Sequence, residues 1–184
     1  MRVAICEYGA GNVRSVALAL GRLGAELVDD VAGADLAVLP GVGSAKTAMA
    51  GLRARGHDSA LQARVAGGRP VLGICLGLQL ALEWSDEDGG VQGLGLLPGR
   101  SERLLEGRVP RMGWSVVEPI GDAFYFAHSY AAATPCATAW AEGAVAEARA
   151  PSFIGCQFHP EKSGPAGARY LAGVLEEVSC LSPA

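Results

Sequence analysis

A cysteine stands at the centre of a glycine-flanked turn, GICLG, at residues 73–77. The spacing of glycine, nucleophile and glycine is typical of an elbow between a strand and a helix, which lifts the central side chain out of the top of an α/β sheet. Glycines are needed there because a Cβ atom at either flank would clash where strand and helix come close. A thiol at the start of a helix is also favoured in its thiolate form. We therefore expect Cys75 to be a nucleophile, although most cysteines are simply buried in the core.

A cysteine nucleophile needs a base, and His159 is the histidine best placed to be one. It ends an apolar run, GCQF, and is followed by a proline and Glu161. A proline disfavours helix at the residue before it and fixes its own φ, so we expect the chain to stay extended through Glu161. Side chains two residues apart then face the same way, which would let Glu161 orient one imidazole nitrogen while the other faces Cys75. The other histidines are His57, expected in a solvated loop, and His128, which fits either the core or a pocket.

Acyl transfer at such a cysteine needs backbone donors for the oxyanion of the tetrahedral intermediate. The N–H group of Leu76, directly after the nucleophile, is one candidate by the elbow rule. The other is the N–H group of Val42 or Gly43, in the glycine-rich loop PGVG at residues 40–43. Because glycines let a peptide rotate, this loop could present its donor in one state only and act as a switch. Gln79 lies one helical turn beyond the cysteine, where its amide could bind an amide substrate.

Alternating strands and amphipathic helices in the first half of the chain predict an α/β fold with a mostly parallel central sheet. Continuous apolar strands indicate a sheet covered by helices on both faces, in three layers. In the second half the periodicity becomes strand-like, which predicts a smaller antiparallel region. The expected strands are residues 2–6, 25–28, 35–39, 109–118, 123–130, 137–141, 144–149 and 153–158, besides the elbow strand from residue 71. The expected helices are residues 13–23, 45–53, 59–66, 76–84 and one from residue 164 onwards.

Two short segments are expected to lie outside the helices and strands. Asn12 stands just before the first helix, where its side chain is a good N-cap. Residues 85–99, SDEDGGVQGLGLLPG, are acidic and then glycine-rich, and we interpret them as an excursion over the surface.

Size and composition limit the classes of function. With 184 residues and 18.8 kDa, the chain is expected to form a single domain, residues 1–184. A balance of 15 basic against 19 acidic residues, for a net charge of −4, argues against nucleic-acid binding and against a basic surface for membranes. Five widely spaced cysteines without a CxxC pair suggest neither disulfides nor a zinc site, so no metal is expected. No leader or membrane-spanning run is recognised, and we expect a soluble cytoplasmic protein whose partners are small molecules or proteins.

GICLGLQ around Cys75, together with QFHPE around His159, resembles the class I, or triad, glutamine amidotransferases, and the match runs in order over essentially the whole chain. Further motifs resemble one branch of that family, the glutaminase subunits that supply a cyclase in histidine biosynthesis. These motifs are EYGAGN at residues 7–12, PGVG at 40–43, YFAHSY at 125–130, and the lysine and serine that follow HPE at 162–163. The anthranilate synthase branch has a different loop, closer to SPGP, and lacks that lysine.

The resemblance implies a role for each matching residue. Cys75 would be the nucleophile, His159 the general base and acid, and Glu161 the group that orients the histidine. The other implied roles are oxyanion donors at Gly43 and Leu76, a glutamine pocket at Gln79, Ser129 and Tyr130, and a partner interface at Asn12, Trp114 and Lys162. No cofactor is implied.

The resemblance also implies a reaction and a partner. Glutamine would be hydrolysed to glutamate and ammonia through a thioester, and the ammonia would pass to a cyclase subunit, a (β/α)8 barrel, in a heterodimer. The products there would be imidazole glycerol phosphate and an aminoimidazole carboxamide ribonucleotide. Two positions depart from the pattern, since Glu7 stands where aspartate is common and Ser115 where asparagine is usual. The alternatives are an ammonia-supplying subunit of another pathway, such as chorismate amination, and a glutamine-binding regulatory subunit with an inactive site.

Overall fold

A computed structural model of the chain describes residues 1–9 and 12–181. In these ranges the strands form a seven-stranded, a four-stranded and a two-stranded sheet. The helices are α1 (Val13–Arg22), α2 (Ala45–Ala54), α3 (His57–Ala66), α4 (Leu76–Ala81) and α5 (Gly164–Leu181). The strands are β1 (Arg2–Ile5), β2 (Glu26–Val28), β3 (Leu36–Gly41), β4 (Val71–Cys75), β5 (Trp84–Ser85), β6 (Val91–Gln92), β7 (Arg100–Arg103), β8 (Arg111–Val117), β9 (Asp122–His128), β10 (Tyr130–Ala133), β11 (Ala137–Ala141), β12 (Ala144–Ala150) and β13 (Phe153–Cys156). None of the described helices is both long and apolar enough to span a membrane.

The seven-stranded sheet, in the order β11-β12-β13-β4-β3-β1-β2, is the centre of the fold. Its five strands from β13 to β2 are parallel, and β12 and β11 extend it in antiparallel fashion. Along β3, Leu36 and Val38 pack into the apolar cluster beneath α1 and α5, whereas Ala37 and Leu39 pack into the cluster beneath α2 and α3. Because successive residues of a strand face opposite sides, one apolar strand serves two cores. The three-layer α/β prediction is confirmed.

The segment after α4 differs from the surface excursion expected over residues 85–99. The helix ends at Ala81 instead of continuing to residue 84, and the chain folds back beneath it. The N–H groups of Leu94 and Leu97 donate to carbonyls at the end of α4, at 2.8 and 3.0 Å, and both side chains are buried. The expectation was wrong because these leucines, although set among glycines, satisfy the open carbonyls of a short helix and fill the space below it.

Strand β7 was not expected from the sequence at all. Its residues, RSER, are polar, and Ser101 is its one buried side chain. The strand nevertheless pairs with β10 on one side and with β5 on the other, in the four-stranded sheet β10-β7-β5-β6. This strand therefore forms because its backbone pairs with two neighbours, which the pattern of its side chains does not reveal.

The elbow between β4 and α4 is packed without space for side chains at its flanks. A Cβ atom on Gly77 would lie 1.8 Å from the carbonyl oxygen of Leu39 in β3, and one on Gly73 would lie 2.9 Å from the backbone of Gly77. Between the two glycines Cys75 adopts a φ of 54° and a ψ of −108°, a conformation that non-glycine residues rarely take. The predicted elbow is confirmed, and so is the reason for its glycines.

Gly77→Ala should lower the free energy of unfolding by about 3 kcal/mol or more, because the methyl group would overlap the Leu39 carbonyl. Gly21→Ala is the matched control. Gly21 lies within α1, and an added Cβ would meet nothing within 4 Å, so alanine there should raise stability by about 0.5–1 kcal/mol. Urea unfolding followed by circular dichroism measures both changes. Equal stability of the Gly77 variant and the wild-type protein would contradict the packing argument.

Candidate active site

β4 and α4 place the thiol of Cys75 at the carboxyl edge of the central sheet, in the wall of a cavity. The residue is buried, with 5% of its surface exposed. Its sulfur lies 3.6 Å from Nε2 of Gln157 and 3.9 Å from the carbonyl oxygen of Ala127. Leu76 begins α4 and lines the same cavity, so its N–H group belongs to the first turn of the helix, where amides have no partner within the helix.

The candidate base is held in place by its own main chain. The N–H group of His159 donates to the carbonyl of Tyr125 in β9 at 2.8 Å, and its carbonyl accepts from the hydroxyl of Ser163 at 2.7 Å. Its Nδ1 lies 2.9 Å from Oε1 of Glu161, and both of these side chains are buried. The sulfur of Cys75 is close enough to the imidazole to raise its pKa. The structure thus brings together the three residues that the sequence predicts to act as nucleophile, base and orienting group.

Glu161 reaches His159 by a backbone route that differs from the expected one. Pro160–Lys162 forms a 3-10 turn, and His159 takes the N-cap position before it, with a φ of −102° and a ψ of 92°. The expectation of an extended chain through Glu161 was wrong, because the φ of proline also suits the first position of a helical turn. The turn still folds the carboxylate back onto the imidazole.

The charges in this group favour a reactive sulfur. Burial by itself lowers the pKa of His159, but hydrogen bonds to Cys75 and Glu161, and the negative charges on both, raise it to about 9. The imidazole is therefore protonated at neutral pH. A positive imidazolium stabilises the thiolate form of a neighbouring cysteine and holds a proton ready for a leaving group.

The other two histidines have different surroundings. Nδ1 of His128 donates to the carbonyl of Tyr130 at 2.9 Å, and its buried Nε2 has no partner in the described part of the chain. Burial is the main cause that lowers the pKa of His128 to about 4, so at neutral pH it is an uncharged part of the cavity wall. His57 is half-buried as the first residue of α3 rather than solvated in a loop. That expectation was wrong because the helix starts early, after Gly56 at a φ of 68°.

The glycine-rich loop after β3 packs directly on the elbow. β3 and β4 pair in a register that sets Gly41 opposite Cys75, and a Cβ atom on Gly41 would lie 2.5 Å from the Cβ of Leu76. Gly43 has a φ of 96°, which favours glycine. The buried hydroxyl of Tyr8 donates to the proline carbonyl of this loop at 2.7 Å and so fixes its start. Both loop residues that could supply an oxyanion donor line the cavity.

A cavity of about 360 Å³ collects most of the predicted catalytic and binding residues. Its lining includes Gly43, Cys75, Leu76, Gln79, Ser129, Tyr130, His159 and Lys162. A larger hollow, of about 480 Å³, lies between α1 and the start of α3, and its described lining contains neither Cys75 nor His159. The smaller cavity is therefore the candidate active site. Across residues 1–9 and 12–181, no three His, Cys, Asp or Glu side chains are grouped so that they could hold a metal ion.

The residues assigned to a partner interface lie beside the triad. Trp114 on β8 is 58% exposed and meets the ring of Tyr125 edge-on, with the ring centroids 6.1 Å apart. The ammonium group of Lys162 lies 5.9 Å from the centre of the same ring. Asn12 occupies the N-cap position of α1 but does not cap the helix with its side chain. Its Nδ2 instead donates to Oε1 of Glu161 at 3.3 Å, so the predicted interface touches the orienting carboxylate.

Two polar residues of the site have no role in the sequence-based prediction. Glu87, in the stretch expected at the surface, lines the cavity and accepts the N–H group of Ala45 at the start of α2 at 2.7 Å, and burial raises its pKa. A carboxylate there can pair with an ammonium group. Gln157 is fully buried, and its amide contacts both Cys75 and Gln79. A signal for Gln157 was available in the QFHPE motif, whereas Glu87 could not be told apart from the acidic residues around it.

Comparison with known proteins adds a family to this geometry. Residues 24–178 match the family model described as Glutamine amidotransferase class-I. The chain belongs to the class-I glutamine amidotransferases. This amidotransferase is similar to the imidazole glycerol phosphate synthase subunit HisH of Symbiobacterium thermophilum, with 46% identity over 195 residues that cover 93% of this chain and 92% of that protein. HisH of Exiguobacterium sibiricum is 42% identical over 182 residues, which cover 92% of each chain.

Solved structures show the same fold at lower identity. One, described as the crystal structure of glutamine amidotransferase, superposes with a TM-score of 0.74 at 23% identity and covers 96% of this amidotransferase and 98% of that chain. A second, the structure of PurLQS from Thermotoga maritima, has a TM-score of 0.70 at 17% identity, with coverage of 96% and 98%. At this level of identity they support the architecture of the amidotransferase alone.

The two departures from the family pattern lie outside the described lining of the active-site cavity of the amidotransferase. Glu7 is exposed. The hydroxyl of Ser115 in β8 donates to the carboxylate of Glu142, which also lies 3.6 Å from the Arg111 side chain. A shorter side chain than the usual asparagine is thus satisfied within the amidotransferase itself.

The stability of the amidotransferase should depend on pH through His159. Because its folded-state pKa, about 9, lies above the ordinary 6.5, its charged contacts contribute fully to the free energy of unfolding below pH 6.5 and are lost as pH rises through 9. Across that window the wild-type protein should lose its advantage over Glu161→Gln by up to a few kcal/mol, about 1.4 for each unit of pKa, because the variant lacks the carboxylate 2.9 Å from Nδ1. Urea unfolding at a series of pH values measures this, with Cys180→Ala, at an exposed thiol, as the control. A difference that stays constant across the window would contradict the charged pair.

Proposed function

We propose that this amidotransferase is the glutaminase subunit of an imidazole glycerol phosphate synthase, which hydrolyses glutamine and supplies ammonia to a cyclase in histidine biosynthesis. The observation that carries the proposal is the cavity in which Cys75 meets the His159–Glu161 pair beside the amide of Gln79. Similarity to HisH proteins over more than nine tenths of the chain supports the pathway. A bound glutamine would find a nucleophile, a proton donor and an amide partner in one cavity.

The first half of the proposed reaction makes a thioester. The sulfur of Cys75 attacks the γ-carboxamide carbon, a C–S bond forms, and the carbonyl oxygen becomes an oxyanion. The N–H groups of Leu76 and Gly43 are the proposed donors to that oxyanion. His159 then gives its proton to the nitrogen, the C–N bond breaks and ammonia leaves. The raised pKa of His159 suits it to hold this proton at neutral pH.

The second half returns the site to its starting state. Neutral His159 takes a proton from water, and the hydroxide equivalent attacks the thioester carbon. The C–S bond then breaks, glutamate leaves, and the thiolate again lies beside a protonated imidazole. Glu161 stabilises the imidazolium in both halves through the 2.9 Å contact at Nδ1.

Recognition of glutamine is proposed to use the main chain where β9 gives way to β10. Ser129 and Tyr130 lie at this bend and line the cavity, where backbone groups can meet the α-carboxylate. Glu87 is the one carboxylate in the described lining, and it offers a partner to an α-ammonium group. A zwitterionic amino acid thus has partners for both of its charges.

The partner is proposed to be a cyclase with a (β/α)8 barrel, docked on the face that carries Asn12, Trp114 and Lys162. Met112 and Trp114 expose 66% and 58% of their surface on neighbouring outward positions of β8, which supports an apolar contact there. The oxyanion loop is proposed to respond to this docking, and so to keep the subunit weakly active alone. The continuous sheet, whose strands come from residues 2–156, supports a single domain, and we propose a cytoplasmic location for the complex.

Cys75→Ala should abolish synthesis of imidazole glycerol phosphate from glutamine and leave synthesis from ammonium salts intact, because the cyclase would still receive ammonia. The measurement is product formation by the complex with each nitrogen source, with Cys180→Ala as a control that keeps both activities.

Glutamate release by the wild-type chain should rise when the barrel and its ribonucleotide are added. Glutamine-dependent amination with a chorismate-utilising partner instead would overturn the pathway assignment.

Replacing Trp114 and Lys162 together by alanine should weaken binding to the cyclase barrel at least tenfold, since exposed tryptophans are frequent hot spots of interfaces. The matched control is Leu18→Ala with Arg22→Ala, which also removes one exposed apolar residue and one cation. Arg22 is the last residue of α1, and neither Leu18 nor Arg22 is in the described lining of the active-site cavity. Isothermal titration calorimetry measures both dissociation constants. Equal constants for the two double variants would contradict the proposed face.

A further inference from the structure

Gln157 is a fully buried polar residue at the active site for which the proposed reaction has no use. It follows β13, and its main-chain N–H group donates to the carbonyl of Ala146 in β12 at 2.8 Å. Its side-chain amide reaches two residues of the site, with Nε2 at 3.6 Å from the sulfur of Cys75 and Oε1 at 3.1 Å from Nε2 of Gln79. One amide group therefore joins the nucleophile to the residue proposed to contact the substrate amide.

The carbonyl of Tyr130 determines which way both glutamine amides point. It lies 2.7 Å from the side-chain amide of Gln79, and a carbonyl can only accept, so the group that faces it is the NH2 of Gln79. The second hydrogen of that NH2 goes to the oxygen of Gln157, which turns the NH2 of Gln157 towards the sulfur. The Tyr130 carbonyl thus fixes the direction of three contacts, and the oxygen of Gln157 is the second acceptor that holds the NH2 of Gln79.

Both contacts of the Gln79 amide use its NH2, and within residues 1–9 and 12–181 no donor is assigned to its Oε1, in a residue that lines the cavity. An oxygen can accept a hydrogen bond from the NH2 group of a carboxamide, whereas an ester or a carboxylate has no hydrogen to offer. If the amide of Gln79 were free to turn, its NH2 could bind the oxygen of an ester equally well. The contacts with the Tyr130 carbonyl and with Oε1 of Gln157 together remove that freedom, because turning the amide would set its oxygen against both of these oxygens.

At the other end of the chain, the NH2 of Gln157 acts on the sulfur. A hydrogen bond to an ionised acceptor is stronger than one to a neutral acceptor, so this donor favours the thiolate of Cys75 over the thiol. His159 provides the positive charge, and Gln157 provides a second, uncharged donor to the same sulfur. The donor also restricts where the sulfur can lie within the strained elbow.

We propose that Gln157 is a positioning residue of the glutaminase reaction, and that it makes the site selective for primary carboxamides by holding Gln79, together with the Tyr130 carbonyl, in one orientation while it donates to the sulfur of Cys75. The inference rests on the proposed function for the identity of the substrate. The contact with the sulfur does not, since it affects the cysteine whether or not glutamine is bound.

The test uses Gln157→Glu, which keeps the shape and removes the donor, and Gln157→Met, which removes both polar groups. Gln62→Glu is the matched control, since Gln62 on α3 makes one amide contact, to the carbonyl of Leu94, and does not line the cavity. The first measurement is the rate at which iodoacetamide alkylates Cys75 at neutral pH, followed by peptide mass mapping. We expect a fall of about tenfold or more in both Gln157 variants and none in the control.

The second measurement is the ratio of kcat/KM for glutamine to kcat/KM for glutamate γ-ethyl ester, in the complex with the cyclase barrel. We expect this ratio to fall by about tenfold or more in Gln157→Met, through a loss for glutamine rather than a general loss of activity. An unchanged ratio together with an unchanged alkylation rate would overturn the proposal. So would unfolding of both Gln157 variants while Gln62→Glu stays folded, since the role would then be structural. A wild-type complex that does not hydrolyse glutamine would instead refute the proposed function, and the alkylation rates would still decide the contact with the sulfur.

Discussion

The site depends on one backbone crossing, where the first turn of α4 lies against β3 with no side chain between them. A hydrogen atom is all that the carbonyl of Leu39 allows at Gly77. Because elements packed at this density cannot slide past each other, the crossing sets the distance between the glycine-rich loop, which follows β3, and Cys75, which precedes α4. The spacing between the proposed oxyanion donors and the sulfur is therefore set by the close packing at Gly41 in β3 and Gly77 in α4, and not by the catalytic residues.

The parallel sheet explains how residues far apart in the chain meet. β3, β4 and β13 are neighbours and end at the same edge, and each delivers one part of the site there. The loop with Gly43 follows β3, Cys75 ends β4, and Gln157 and His159 follow β13. The hairpin of β8 and β9 closes the arrangement, because its Tyr125 carbonyl holds the main chain of His159. No single segment contains the site, and the register of the strands assembles it.

The sequence was most informative where the chemistry and the backbone geometry require the same residue types at the same positions. The elbow could be recognised because a nucleophile in a strained turn needs glycines at fixed positions, and the three-layer fold followed from strands that are apolar on both faces. It was least informative where backbone contacts decide. The turn at Pro160–Lys162, the polar strand β7 and the folding of residues 85–99 under α4 depend on carbonyls that accept from distant amides. Glu87 was missed for the same reason, since its place in the cavity follows from that fold-back and not from its neighbours in sequence.

The uncharged state of His128 has a consequence for the product. Ammonia attacks an electrophile only through its lone pair. If it took up a proton before it reached the electrophile, the lone pair would be lost. At neutral pH the one N–H group on the ring of His128 is committed to the Tyr130 carbonyl, and its buried Nε2 carries no hydrogen. Ammonia that passes this wall can therefore gain no proton from His128. Burial of one imidazole thus helps the product to leave the site as a nucleophile and not as a cation.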